Sequence, residues 1–466
     1  MATLFLIVIY LSFISLGIPD SMLGAAWPVL HVDIGTPFSA AGGLAIVGAV
    51  GTILSSLASG KLIEKLGAGL ITLISCCLTA AALLGFAFVP SFGWLVLLEI
   101  PLGIGAGAVD SGLNHFVASN YKAHHMSWLH CFWGVGATAG PIIMSHYIGT
   151  DSSWRGGYIA VACVQFALVL ILLFTLPLWG KVVKLRQQEK QFERQRKQAA
   201  AETHAIDGLS VMGEGTQEGA HTAIGQPQQS SVTDQTTTNV VANDPSGTVH
   251  STSEPDHYPQ DAAQQSAAAS TPKAAPGAGL FRLPGVKFTL FTFLFYCGAE
   301  TTVSLWGASF LVGSRQIAPE VAAGWISLYF AGITIGRFVT GFLTLRASNR
   351  TLILLGQLLS VVGAILLLLP LPGSLLMLGL IMIGIGFAPI FPGLLHETPA
   401  RFGEGNSARL IGYQMAVAYT GATLLPPLFG VVASYVQIGL FPYVVLAFIV
   451  LMLFFSERVN IAIRHT

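Results

Sequence analysis

The stretch "GIGAGAVDSGLNHF", Gly103–Phe116, sets an aspartate, an asparagine and a histidine among closely spaced glycines inside a long apolar run. The whole chain is greasy: 466 residues, 53% hydrophobic and only 9% charged, against about 25% charged in a soluble domain. Most of its surface must therefore face lipid. An aspartate at the centre of a membrane span costs about 2.5–3.5 kcal/mol on insertion scales. Asp110 should then face a cavity or a partner.

Working outward, runs of about 20 apolar residues can cross a bilayer as helices. They fall near 4–30, 39–60, 69–89, 94–118, 126–148 and 156–179, then near 287–312, 321–345, 350–370, 373–395, 408–434 and 439–457. The first run is too long for a signal-peptide core and reads as a retained helix. The expected fold is an all-α membrane protein with twelve transmembrane helices in two six-helix parallel repeats. Residues 1–180 form one half, 181–283 a linker and 284–466 the other half. The linker opens with the basic "KVVKLRQQEKQFERQRKQ" and continues in Gln, Ser, Thr, Ala, Gly and Pro, a composition that predicts disorder.

Lys and Arg set the orientation. Lys61, Lys65, Lys122, the linker cluster, Arg346, Arg350, Arg401 and Arg409 gather on one side, with only Arg155 and Arg315 opposite. Both termini and the linker are expected in the cytoplasm of a multi-pass cell-membrane protein. The five cysteines all lie in apolar runs without metal-type spacing, which fits packing rather than a disulfide framework or zinc site.

The chain also repeats itself. A shift of 281 residues brings nine glycines of the first half onto glycines of the second, among them Gly51/Gly332, Gly103/Gly384 and Gly105/Gly386. Chance predicts about three such pairs. Parallel repeats of this kind place a transporter's site between the halves.

On a helix Gly103, Gly107, Asp110 and Asn114 share one face. Glycines there allow close helix approach, which is also their plain structural reading. Asp20 lies in "SLGIPDSMLG" and Glu300 in "YCGAETTVSLWG", so spans one, four and seven each bring an acid to a glycine-lined face. Glu99 reads as interfacial, near the end of span four. Arg337 either pairs with a carboxylate or snorkels to the headgroups.

The loop "GKLIEKLGAG", Gly60–Gly69, resembles the major facilitator loop signature Gly-x-Leu-x-Asp-Arg-x-Gly. Gly60, Leu62 and Gly67 match, while Glu64 and Lys65 replace the Asp–Arg pair. The second copy, "GRFVTGFLTLR", keeps Gly341, Leu343 and Arg346 and contains Arg337. In that family the motif helps hold one gate state. A tight turn with an interfacial ion pair is the alternative. Spans four and five, "GIGAGAVDSGLNHFVASNY" and "HMSWLHCFWGVGATAGP", are similar to the fucose and glucose proton-symporter branch. That resemblance implies that Asp110 takes the place of the span-four glutamate in substrate and proton handling, with Asp20 and Glu300 matching the acids of spans one and seven. His130 and Trp133 depart from the sugar-permease pattern.

A desolvated carboxylate has a raised pKa and can change protonation near neutral pH, so substrate binding to its neutral form would link solute and proton movement. Trp133, Trp306, Tyr413 and Gln414 could offer ring faces and an amide to a polyol, and each also fits plain helix packing. His130 fits either a cavity wall or an interhelical hydrogen bond. The expected function is proton-coupled movement of a small polar solute, a sugar by resemblance. A drug or metabolite exporter and a non-transporting nutrient sensor are the alternatives. The expected partners are the solute, protons and the lipid bilayer, with no nucleic acid, no metal and no cofactor, and the chain is expected to act as a monomer. Enzyme motifs fail: "LASGKL" lacks the first P-loop glycine, His396–Glu397 has no second histidine, and Gly103-x-Gly105-x-Gly107 has no preceding strand.

Overall fold

In the computed structural model, the described residues are 2–121, 123–150, 153–180, 195 and 280–464. The expected disordered linker lies outside them, as does Lys122. The membrane-spanning helices belong to one compact unit.

Among the described residues the fold is helical throughout, because a bilayer offers no water to backbone groups left unpaired. The helices are α1 (Ala2–Asp33), α2 (Ala40–Leu66), α3 (Ala68–Phe86), α4 (Phe92–Asn120), α5 (Ala123–Gly149), α6 (Ser153–Gly180), α7 (Val286–Arg315), α8 (Pro319–Leu343), α9 (Asn349–Leu368), α10 (Gly373–Phe402), α11 (Glu404–Tyr435) and α12 (Phe441–Arg464). Eleven are long and apolar enough to span a membrane. The twelfth, α5, has 27 residues and is more polar because it lies between α1 and α8.

Two helices differ from the expected spans. The tenth is broken into Gly373–Phe387 and Ile390–Phe402, since Pro389 has no N–H to continue the ladder. The second does not stop at residue 60 but runs on to Leu66, so most of "GKLIEKLGAG" is helix. The turn is a single residue, Gly67, at φ +80 with its N–H bonded to Ile63 O at 2.8 Å. That positive φ is where glycine is needed. Gly403 does the same between α10 and α11 at φ +83.

The glycine repeat has a packing cause. A side chain at Gly51 would meet Gly103 and Ile104; at Gly332, 281 positions on, it would meet Gly384 and Ile385. Gly105 lies against Ser75 and Thr79, and Gly386 against Gly356 and Ser360. These partners are shifted by the same 281. The same small-residue contacts thus build α2–α4 and α8–α10, and again α3–α4 and α9–α10.

The two sets of six helices touch along α1–α7, α2–α11 and α5–α8. Contact is tight at the end carrying the α1–α2 and α7–α8 connections. There Gly24 presses on the Ser304 and Leu305 backbone, Gly42 on Pro427, and Ser145 Oγ donates to Glu320 O at 2.7 Å. At the other end, Gly60, Gly341 and Gly412 meet nothing, and Leu57 is 78% exposed. The bundle is shut at one end and more open at the other, where Trp128 of α5 still meets Phe338 of α8 at 6.4 Å.

Candidate functional site

A cavity of about 380 Å³ opens between the two sets of helices, within the size range of small-molecule sites. Its walls come mainly from α1, α2, α3 and α4, with Tyr158 and Gln165 of α6 beside them and α7 and α11 opposite. Asp20 and Glu99 both line it. Among the described residues neither carboxylate has an ion-pair partner. Glu99 instead rests on bare α2 backbone at Gly48, where no side chain stands between the acid and the cavity. The reading of Glu99 as interfacial is thereby corrected: α2 covers that face of α4 and takes it away from the headgroups.

Local chemistry explains the neighbouring wall. Pro19 in α1 has no N–H, so the Ser15 carbonyl loses its helical partner. Gln165 of α6 supplies the missing bond, its Nε2 donating to Ser15 O at 2.7 Å, while Ser15 Oγ donates back to Gln165 Oε1. Tyr158 lies nearby in the lining with a buried hydroxyl that has no hydrogen-bond partner. Thr52, Thr301, Ser304 and Tyr419 complete a rim of neutral polar groups. Sequence reasoning put none of Glu99, Gln165 and Tyr158 at the site. The available signals were an acid and an amide inside otherwise apolar spans.

Below Asp20 a chain of contacts crosses between the two sets of helices. Trp133 of α5 donates Nε1–H to Asp20 Oδ2 at 2.9 Å. The Arg337 guanidinium of α8 stands 5.9 Å from the Trp133 ring centre and pairs with Glu300 of α7 at 3.4 Å, each side chain 19% exposed. Arg337 therefore pairs rather than snorkels. Tyr329 Oη donates to the Glu300 carbonyl at 3.1 Å. His130 is exposed on the more open side, edge-on to Phe13 at 5.9 Å.

The other expected site residues sit elsewhere. Asp110 follows Val109, the last α4 residue of the lining, and accepts a hydrogen bond from Asn114 Nδ2 at 2.9 Å; the Asn114 Oδ1 is buried without a partner. Gln414 is fully buried between α10 and α11, exchanging hydrogen bonds with Thr398 at 3.0–3.1 Å, which removes it from the cavity. Trp306 is buried with Nε1 bonded to Pro426 O at 2.8 Å. In the loop motif Lys65 and Arg346 are exposed, and the Glu64 side chain lies outside the described residues. Among the described residues, no group of three or more His, Cys, Asp or Glu could hold a metal.

Comparisons agree with this architecture. The family model described as Major Facilitator Superfamily matches residues 9–228. "Bypass of stop codon protein 6" of Saccharomyces cerevisiae is 24% identical over 348 residues, covering 72% of this chain and 56% of that protein. "Sodium-dependent glucose transporter 1" of Danio rerio is 27% identical over 155 residues, 32% of this chain and 26% of that protein. The chain thus matches about half of the first relative and a quarter of the second. Among solved structures, a D-xylose-proton symporter superposes with a TM-score of 0.64 at 13% identity, covering 97% and 96% of the two chains. The nucleoside transporter NupG gives 0.62 at 14% identity, covering 98% of each. A partially occluded inward-open form of the xylose transporter XylE from E. coli gives 0.61 at 14%, covering 97% of each. The fold is that of these transporters, and the family match points the same way.

Proposed function

We propose that this chain is a secondary transporter that moves a small polar solute, of the sugar class, by proton-coupled alternating access. The observation that carries the reading is the cavity wall itself. Asp20 and Glu99 face a space between the two sets of helices that is otherwise lined by hydroxyls, an amide and apolar groups. Neutral donors and acceptors suit an uncharged polyol, and an acid without a countercharge is suited to exchanging a proton with it. The similarity to a glucose transporter and to xylose structures favours the same class.

Residues 1–180 and 284–466 act in this reading as two bodies that rock about the cavity, joined by a cytoplasmic linker. The more open end, which carries Lys61, Lys65, Arg346, Arg401 and Arg409, then faces the cytoplasm, and the described state is open inward. Asp20 takes the central role. Trp133 orients its carboxylate, and Arg337 against Trp133 links that orientation to Glu300 in the opposite body. Asp110 and Asn114 lie on the path between cavity and cytoplasm, with His130 on the same side.

The test is proton movement in proteoliposomes on adding hexoses, deoxyhexoses, pentoses or amphipathic cations, with wild type beside Asp20→Asn. Sugar-dependent alkalinisation of the outer medium, lost in Asp20→Asn, is the expected result. Proton release driven by the cations would make the protein an exporter. Sugar binding without flux would make it a sensor.

A further inference from the structure

A second cavity, of about 280 Å³, lies at the shut end of the bundle between the ends of α1, α7 and α11. It is separate from the central one. Along α7 the central cavity takes Ser304 and Leu305, and the outer one takes Ser309, Val312 and Gly313. Trp306 lies between these levels, fully buried, with its ring 4.7 Å from Phe38 and pressed on Gly430 of α11. From Ser304 to Ser309 is five residues, about 7.5 Å along a helix. The Trp306–Phe38 pair is thus a plug between two chambers stacked along the transport axis.

The outer chamber has an unexplained polar group. Ser309 is 3% exposed and lines the cavity, yet its hydroxyl has no hydrogen-bond partner. A buried polar group left unpaired costs stability, so the position is poorly explained by packing. Two further groups face the same space. His31 presents an imidazole held between Trp27 and Phe38, with ring centres at 5.9 and 5.6 Å. Ser434 spends its proton on the Gly430 carbonyl at 2.9 Å, which leaves its oxygen free to accept. The chamber therefore offers hydroxyls, one imidazole and an aromatic face, with no carboxylate or cationic Lys or Arg in its lining.

We propose that this chamber is an outer binding subsite for a small, uncharged, hydroxylated solute, held by Ser309, His31 and Ser434 above the shut Trp306–Phe38 plug. The inference rests on the transport reading for its choice of solute class, but the site stands or falls by its own test. A solute in the chamber pairs the Ser309 hydroxyl and lies on Phe38. It can pass inward only when Trp306 moves.

The test uses the full-length protein carrying Ile438→Cys, since Ile438 lines the chamber, is partly exposed and takes no part in the proposed polar contacts. Its reaction with a small neutral thiol reagent is timed with and without D-glucose, D-xylose or L-fucose, against wild type to subtract the native cysteines. The expected result is at least fivefold slower labelling with one of these sugars, kept when Asp20→Asn is added. Ser309→Ala should abolish the protection without lowering the melting temperature, because it removes an unpaired hydroxyl; a merely structural serine would lower it. No protection by any of the three sugars overturns the subsite, whether or not transport is found. Protection that disappears with Asp20→Asn also overturns it, since the sugar would then be acting from the central cavity. Protection without flux keeps the subsite and removes the transport reading.

Discussion

The first six helices and the last six solve the same electrostatic problem differently. Glu300, in the last six, is paired with Arg337 at 3.4 Å, so its charge is balanced inside the protein. Asp20 and Glu99, in the first six, line the cavity with a Trp133 N–H and a bare glycine surface for company. Burying a charge is costly unless it is paired or neutralised. The paired acid suits a fixed structural link and the unpaired ones suit exchange with the cavity. The repeat places acids in both halves; the arginine in α8 makes them unequal.

That inequality can be broken most directly at Asp20. Asp20→Asn should lower sugar-dependent proton movement by about 100-fold, the scale expected when a proton-carrying side chain is lost, with the melting temperature unchanged. If Glu300→Gln has the same effect and Asp20→Asn does not, the roles of the two halves are reversed. Next in size is the pair itself. Arg337→Leu strands a mostly buried carboxylate and should destabilise the protein towards the low end of about 3–5 kcal/mol, because both groups keep some exposure. Thermal unfolding in detergent reads this, and Arg337→Leu with Glu300→Leu should recover most of the loss. If the double variant is no more stable than the single, the pairing is not what holds the group.

The repeat can be sharpened by matched glycines. At Gly332 an added methyl would lie 2.9 Å from Ile381 O, and at Gly51 3.2 Å from Ile104 N. Gly332→Ala should destabilise by about 1–3 kcal/mol and Gly51→Ala by less, again by thermal unfolding. Equal losses would mean that the two α-helix crossings give way alike. The smallest effect is expected at Asp110. It lies beyond the last α4 residue of the cavity wall and is held by Asn114, so Asp110→Asn should slow sugar-driven proton movement without abolishing it. Abolition would carry the proton path beyond the cavity wall to Asp110.

Much of this architecture was open to reading from the chain. The apolar runs became helices at nearly the expected places, and the 281-residue glycine offset became matched contacts, because a glycine needed for close approach is needed again wherever the crossing repeats. The acids were equally visible as charges in apolar runs. Their ranking was not. Glu99 and Asp110 are eleven residues apart, about three turns and about 16 Å along one face of α4, so periodicity puts both on the same stripe. Only the level of the cavity separates them, and that level is set by α2, α6, α7 and α11. Gln414 misled for a related reason: an amide in an apolar span must find a partner, but Thr398 one helix away satisfies it as well as a solute could.

The sequence by itself determined the membrane environment, the helices, the repeat and the short list of buried polar groups, since each follows from local composition and spacing. The tertiary structure alone decided that Pro19 would recruit Gln165, that Arg337 would neutralise Glu300, and that Asp20 and Glu99 would face open space. Those outcomes depend on how each helix is rotated and how deep it sits against its neighbours, which the packing of the whole bundle decides.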